Sequence, residues 1–208
     1  MSGLRRSAHI GILGGTFDPP HCGHLKLAGQ ALSELRLDRV LLMPVHTPPH
    51  KRSERGCASP EDRLQMCRLA VDGLEEICVS DIEVARGGPS YTVDTLNEIT
   101  DEHRDLRLTL ILGADMARTL GSWREPVRLC ALADLAVAMR EGVSAEEVTA
   151  QLRSLSVEER RLKFLRLPPV AVSSSMVRER VRAGESIAGL VGRAVAGYIA
   201  EHHLYDHA

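Results

Sequence analysis

His21 and His24 are the residues of this chain whose type and spacing could do chemistry. They stand three positions apart at the start of a helical pattern over 25–35, so they share one face of its first turn. That face lies at the positive end of the helix dipole, where anions bind readily. Just before it, Gly14 and Gly15 let backbone N–H groups approach an anion with no Cβ in the way, and Thr16 adds a hydroxyl. A His-x-x-His pair also suits zinc, but no third ligand follows at matching spacing, and Cys22 would point away from the two histidines. A polyphosphate fits the cluster better than a metal ion does.

A second cluster lies far along the chain. Ser173, Ser174 and Ser175 precede a helical pattern beginning at Met176, and Arg178 projects from its first turn. Read plainly, this is a capped amphipathic helix. Read with the histidines, it is a second positive helix end with one guanidinium, suited to the far phosphates of a triphosphate. Between the clusters, the proline-broken stretch 45–56 carries His50, Lys51, Arg52 and Arg55. They make the loop a candidate phosphate clamp or else a solvated loop, and Arg52 and Arg55 read as solvated. Arg63, near the start of the next helix, is a candidate for holding that loop.

These groups need elements to position them, and the pattern alternates strand with helix. Apolar runs predict strands over 9–13, 39–44, 108–113, 134–140 and 163–167, and alternation predicts a half-buried strand over 77–84. Helices are expected over 25–35, from Pro60 behind Ser59 as N-cap, from Val93, over 144–152, from Met176 to a stop at Gly184, and over 191–204. The expected fold is therefore α/β: a single-domain, Rossmann-like, doubly wound and mainly parallel sheet with helices on both faces. Residues 1–8 are expected to be a flexible lead-in, and 173–204 a helical carboxyl-terminal part. Gly11, Gly14 and Gly15 do not have the G-x-G-x-x-G spacing, which disfavours a dinucleotide-dependent dehydrogenase.

The chain's 208 residues, 44% of them hydrophobic, suit one domain with an ordinary core. No apolar run approaches a membrane span and no apolar stretch follows Arg5-Arg6, so neither a membrane partner nor secretion is expected, and a cytoplasmic location is. Cys22, Cys57, Cys67, Cys78 and Cys130 are odd in number and form no C-x-x-C, against a disulfide framework or zinc ribbon. A net charge of −2 gives no reason to expect a nucleic-acid partner. A homo-oligomer remains open.

Gly14-Gly15-Thr16-Phe17-Asp18-Pro19-Pro20-His21-Cys22-Gly23-His24 resembles the signature loop of the H-x-G-H nucleotidyltransferases. Val172-Ser173-Ser174-Ser175-Met176-Val177-Arg178 resembles their I-S-S-T-x-I-R motif, with Ser175 where threonine is usual. Three further stretches are similar to bacterial nicotinate-nucleotide adenylyltransferases: Pro48-Pro49-His50-Lys51, the R-x-G-P-S-Y-T-x-D-T run over 86–95, and Gly113-Ala114-Asp115 followed by Trp123. The resemblance extends from about Ile10 to Tyr205. It implies AMP transfer from ATP to nicotinate mononucleotide, with Mg²⁺ carried mainly on the ATP phosphates and no metal ligand assigned to the protein.

The same resemblance implies site residues. ATP would be held by Gly14, Gly15, Thr16, Phe17, His21, His24, Gly113, Asp115, Ser174, Ser175 and Arg178, with His21, His24 and Arg178 catalytic. Nicotinate mononucleotide would be held by Lys51, Tyr91, Thr92, Trp123 and Arg124, with the Thr92 amide facing the ring carboxylate and Trp123 stacking on the pyridine. Asp115 could instead cap a short helix and Trp123 could be a core residue, while Arg124 stands where a tyrosine is common. Another H-x-G-H enzyme, a phosphopantetheine adenylyltransferase or a cytidylyltransferase, is the alternative. A non-catalytic nucleotide-binding module is a third reading.

Overall fold

The computed structural model describes residues 8–49, 57–139, 143–167 and 170–206. Six strands, His9–Gly15 (β1), Arg39–Pro44 (β2), Ile77–Val79 (β3), Arg107–Gly113 (β4), Asp134–Met139 (β5) and Leu162–Arg166 (β6), form one sheet in the order β3-β2-β1-β4-β5-β6. The pairs β1–β4, β4–β5 and β5–β6 are parallel, with Ile10 opposite Leu108, Thr109 opposite Asp134 and Ala138 opposite Leu165. Unbroken buried runs such as Ile10–Leu13 and Leu108–Leu112 explain this: a strand covered on both faces has no polar side to turn to water. Helices lie around the sheet: Cys22–Glu34 (α1), Pro60–Ala70 (α2), Ile82–Arg86 (α3), Thr92–Glu102 (α4), Ala114–Thr119 (α5), Pro126–Leu132 (α6), Ala145–Arg153 (α7), Ser174–Arg182 (α8), Ala188–Val191 (α9) and Arg193–Glu201 (α10). The α/β class and the mainly parallel, doubly wound sheet are as the sequence implied.

The contacts divide the chain into two compact units. The first comprises Met1–Gly14, Leu27–Leu41 and Tyr91–Pro169. Gly11 sits at its centre, where a Cβ would lie 2.7 Å from Leu37 Cδ1 and 2.9 Å from Ile111 Cδ1. At the amino ends of its strands, Asp134 accepts hydrogen bonds from both Arg107 and Arg161. Burial alone would raise the Asp134 carboxyl, but these two guanidinium groups outweigh it and hold the group below the ordinary carboxylate range. Nearby, His9 Nε2 pairs with Thr109 Oγ1 at 2.7 Å, and burial followed by the Arg107 charge lowers the imidazole. Ala8 is buried and its carbonyl accepts from the Arg107 N–H, while residues 1–7 lie outside the described residues.

The second unit comprises Gly15–Lys26, Leu42–Ser90 and Val170–Ala208, and has its own core of Met66, Val177, Val191, Val195, Ile199 and Tyr205. Two expectations are corrected within it. The strand expected over 77–84 ends at Val79, and α3 follows, because Asp81 and Glu83 carbonyls accept from the Ala85 and Gly87 N–H groups. Glu83 is buried there, so the residue that alternation would have turned outward faces in. The helix expected over 191–204 is broken at Gly192, whose φ of 85° closes α9 and starts α10.

Candidate active site

The second unit carries the histidine loop. Phe17, at φ 51°, is fully buried, and its ring lies under Gly15, where a Cβ would stand 3.1 Å from it. The same ring meets His24 edge-on, with centroids 4.9 Å apart. Phe17 therefore serves the loop as a floor beneath His24. His21 and His24 stack with centroids 3.7 Å apart and planes 23° from parallel, so the pair expected to share a face does so. The His21 backbone N–H donates to His24 Nδ1 at 3.2 Å. A nitrogen that accepts an N–H carries no proton of its own, which leaves the His24 proton on Nε2 as a donor. Gly23 gives the stack its room: a Cβ there would lie 3.0 Å from both Cε1 and Nδ1 of His21 and 3.3 Å from Val172 Cγ1, so those groups would have to give by a few tenths of an ångström.

The serine–arginine segment comes to this same loop. Ser173 caps α8 by accepting the Met176 N–H at 3.1 Å. The Ser174 hydroxyl donates to the Pro19 carbonyl at 2.9 Å, and Arg178 Nη1 donates to the Asp18 carbonyl at 2.7 Å. Arg178 Nη2 lies 3.4 Å from Ser175 Oγ. The positive end of α8 and its guanidinium are thus tied to the loop that carries the two histidines, although 160 positions separate Arg178 from Asp18. The hydroxyl of Ser174, assigned to ATP from the sequence, is engaged in that tie.

Arg63 fixes the rest of the frame. Only 3% exposed, it donates to four main-chain oxygens: Ala58 through Nε, Thr16 and Val45 through Nη1, and His46 through Nη2. Thr16 belongs to the histidine loop and Val45–His46 leave β2, so one buried cation locks both to the start of α2. Burial lowers its guanidinium and the Asp18 charge pulls it back. Two residues escaped the sequence reading. Asp18, 4% exposed, accepts the Ala58 N–H at 3.0 Å and the Tyr205 hydroxyl at 2.8 Å on the same oxygen, Oδ1. The signal for Asp18 was a carboxylate inside an otherwise apolar and glycine-rich loop; nothing local marks Tyr205.

The residues assigned to the pyridine nucleotide fall in the first unit, except Lys51, which lies outside the described residues. Tyr91 precedes α4, which begins at Thr92. Arg124, exposed, lies over the Tyr91 ring at 4.8 Å and donates to Asp94 at 3.1 Å. An arginine can hold that place because its planar guanidinium covers an aromatic face and pairs with a carboxylate at once. Trp123 follows the short turn Leu120–Ser122, is half-buried, and donates its ring N–H to Thr119 Oγ1 at 3.3 Å. It is not a core tryptophan. Gly113 ends β4 and Asp115, exposed, lies in the first turn of α5. Gly14, also assigned to ATP, is exposed near the end of β1.

Among the described residues no three His, Cys, Asp or Glu side chains gather as metal ligands.

A doubly wound parallel sheet whose first strand runs into a glycine–histidine loop, with an arginine-bearing helix start tied to that loop, matches the architecture of the nucleotidyltransferase relatives below. The family model described as cytidylyltransferase-like matches residues 12–180. A protein of Synechococcus sp. (strain JA-3-3Ab) named a probable nicotinate-nucleotide adenylyltransferase is 42% identical over 197 residues, 94% of each chain. One from Bordetella petrii with the same name is 41% identical over 94% of this chain and 98% of its own. The chain belongs to the cytidylyltransferase-like family and, within it, to the nicotinate-nucleotide adenylyltransferases. The fold is also that of the Plasmodium falciparum nicotinic acid mononucleotide adenylyltransferase complexed with NaAD, at TM-score 0.78 and 18% identity, over 96% of this chain and 98% of that one.

Proposed function

We propose that this enzyme transfers AMP from ATP to nicotinate mononucleotide, giving nicotinate adenine dinucleotide and pyrophosphate, as a step in NAD biosynthesis. The observation that carries the reading is the junction of the histidine loop with Arg178 in one compact unit, on a chain about 40% identical to proteins of that name over nearly its whole length. The acceptor phosphate is already anionic near neutral pH and needs no general base. Its oxygen attacks the ATP α-phosphorus in line, the bond from that phosphorus to the bridging oxygen breaks, and pyrophosphate leaves.

The difficulty is the repulsion between two anions, so the protein's work is placement and charge stabilisation. The His24 Nε2–H, fixed as a donor by the bond at Nδ1, is assigned to the α-phosphate. His21 supports it through the ring stack and lines the triphosphate. Arg178, with Ser175 and the positive end of α8, is assigned to the pyrophosphate being released. Gly14, Gly15 and Thr16 would offer backbone amides to the phosphates, and Gly113 and Asp115 the nucleoside side of ATP. Lys51, Tyr91, Thr92, Trp123 and Arg124 are assigned to nicotinate mononucleotide. Mg²⁺, entering with ATP, supplies charge neutralisation on the phosphates.

Pyrophosphate release measured with ATP and a panel of acceptors tests the assignment. Turnover with nicotinate mononucleotide, and none with phosphopantetheine, is the expected outcome. Turnover with phosphopantetheine or with CTP as donor, and none with the pyridine nucleotide, overturns it.

A further inference from the structure

Tyr205 lies three residues from the end of the chain and 187 positions from Asp18, yet its hydroxyl donates to Asp18 Oδ1 at 2.8 Å. Its ring belongs to the core of the second unit and the residue is 6% exposed, with φ 69°. The Ala58 N–H reaches the same oxygen from another segment at 3.0 Å. The other carboxylate oxygen, Oδ2, stands 3.8 Å from Arg178 Nη1, which instead donates to the Asp18 main-chain oxygen at 2.7 Å. Two neutral donors therefore hold Oδ1, while Oδ2 faces the Arg178 guanidinium as a 3.8 Å ion pair and the Asp18 main-chain oxygen takes the arginine's hydrogen bond.

That division has a consequence for the reaction. A buried carboxylate deprived of one donor turns to the strongest donor left, and here that is the adjacent guanidinium. Shortening that 3.8 Å ion pair to a direct hydrogen bond would pull the guanidinium further onto Asp18 and away from the phosphate assigned to it. Burial, and then the Asp18 charge, keep the phenol protonated and so able to donate. We propose that Tyr205 is a positioning residue for phosphate transfer: through Asp18 Oδ1 it holds the Asp18 carboxylate so that its ion pair with Arg178 stays at 3.8 Å and does not tighten into a direct hydrogen bond. The inference rests on the assignment of Arg178 to the departing pyrophosphate. It makes the carboxyl-terminal turn a working part of the histidine loop.

The test is a double-mutant cycle on the full chain, with kcat and the KM for ATP read by pyrophosphate release and Tm read in parallel. Tyr205→Phe removes one oxygen and keeps the ring, and is expected to lower kcat about tenfold, with a smaller change in KM, as the loss of one hydrogen bond to a charged group. In the Arg178→Ala background the same change is expected to have no further effect on kcat. Tyr198→Phe removes a comparable hydroxyl in the same unit, one that donates to Asp62 at 2.9 Å, and is expected to leave kcat unchanged. A Tyr205→Phe loss that persists undiminished without Arg178, or wild-type kcat in Tyr205→Phe, overturns the positioning role alone. Wild-type kcat in Arg178→Ala by itself overturns the assignment of Arg178 and this inference with it.

Discussion

Gly23→Ala sets two effects of opposite sign against each other. Alanine in place of glycine in a helix contributes up to about 1 kcal/mol of stability. The added methyl would, however, lie 3.0 Å from two atoms of the His21 ring and 3.3 Å from Val172, so those neighbours must give by a few tenths of an ångström. Overpacking of this kind costs about 1–3 kcal/mol, so the protein is expected to stay folded with Tm unchanged or modestly lower. The function is expected to suffer more. His21 is buried and its ring already rests on His24 at 3.7 Å, so it cannot retreat without moving the imidazole assigned to the α-phosphate. Complete loss of one transition-state donor costs about 2.7–4 kcal/mol, and a partial displacement is expected to cost about half of that, a kcat lowered roughly tenfold. Steady-state pyrophosphate release beside a thermal melt reads both terms. A folded Gly23→Ala enzyme with wild-type kcat would show that the stack does not position the reacting groups.

Two further outcomes follow from the first unit. Trp123→Ala is expected to raise the KM for nicotinate mononucleotide about tenfold with little change in kcat, since stacking on a flat ring contributes about 1–3 kcal/mol; an unchanged KM would remove the residue from the site. The His9 imidazole is held below its ordinary 6.5 by burial and Arg107, so the folded state binds fewer protons than the unfolded one; stability is full above about pH 6.5 and declines as pH falls below it. His9→Gln is expected to flatten that part of the Tm–pH profile, and an identical slope in the variant would contradict the assignment.

What could be read from the sequence was whatever is written in local spacing. The histidine pair, the glycines before it and the apolar strand runs each follow from neighbours within a few positions and lie where that spacing put them, whereas α8 starts at Ser174, two residues before the expected Met176, with Ser173 as its cap. The strand over 77–84 misled because alternation assumes that the polar residue faces water, whereas Glu83 is buried on a short helix. Gly192 could have been read as a break, since its φ of 85° suits glycine and it lies between two short helices. The ties that hold the site together had no local signal. Arg63 grips carbonyls from three segments, and Tyr205 meets Asp18 from the other end of the chain. Side-chain hydrogen bonds over such separations are decided by the packed core and leave no period in the sequence.

His24→Ala tests the central claim most directly, because that imidazole is the donor assigned to the oxygens of the α-phosphate under attack. With ATP and nicotinate mononucleotide, its kcat is expected to fall about a hundredfold or more while the thermal melt remains cooperative. A folded His24→Ala enzyme that releases pyrophosphate at close to the wild-type rate would contradict the account.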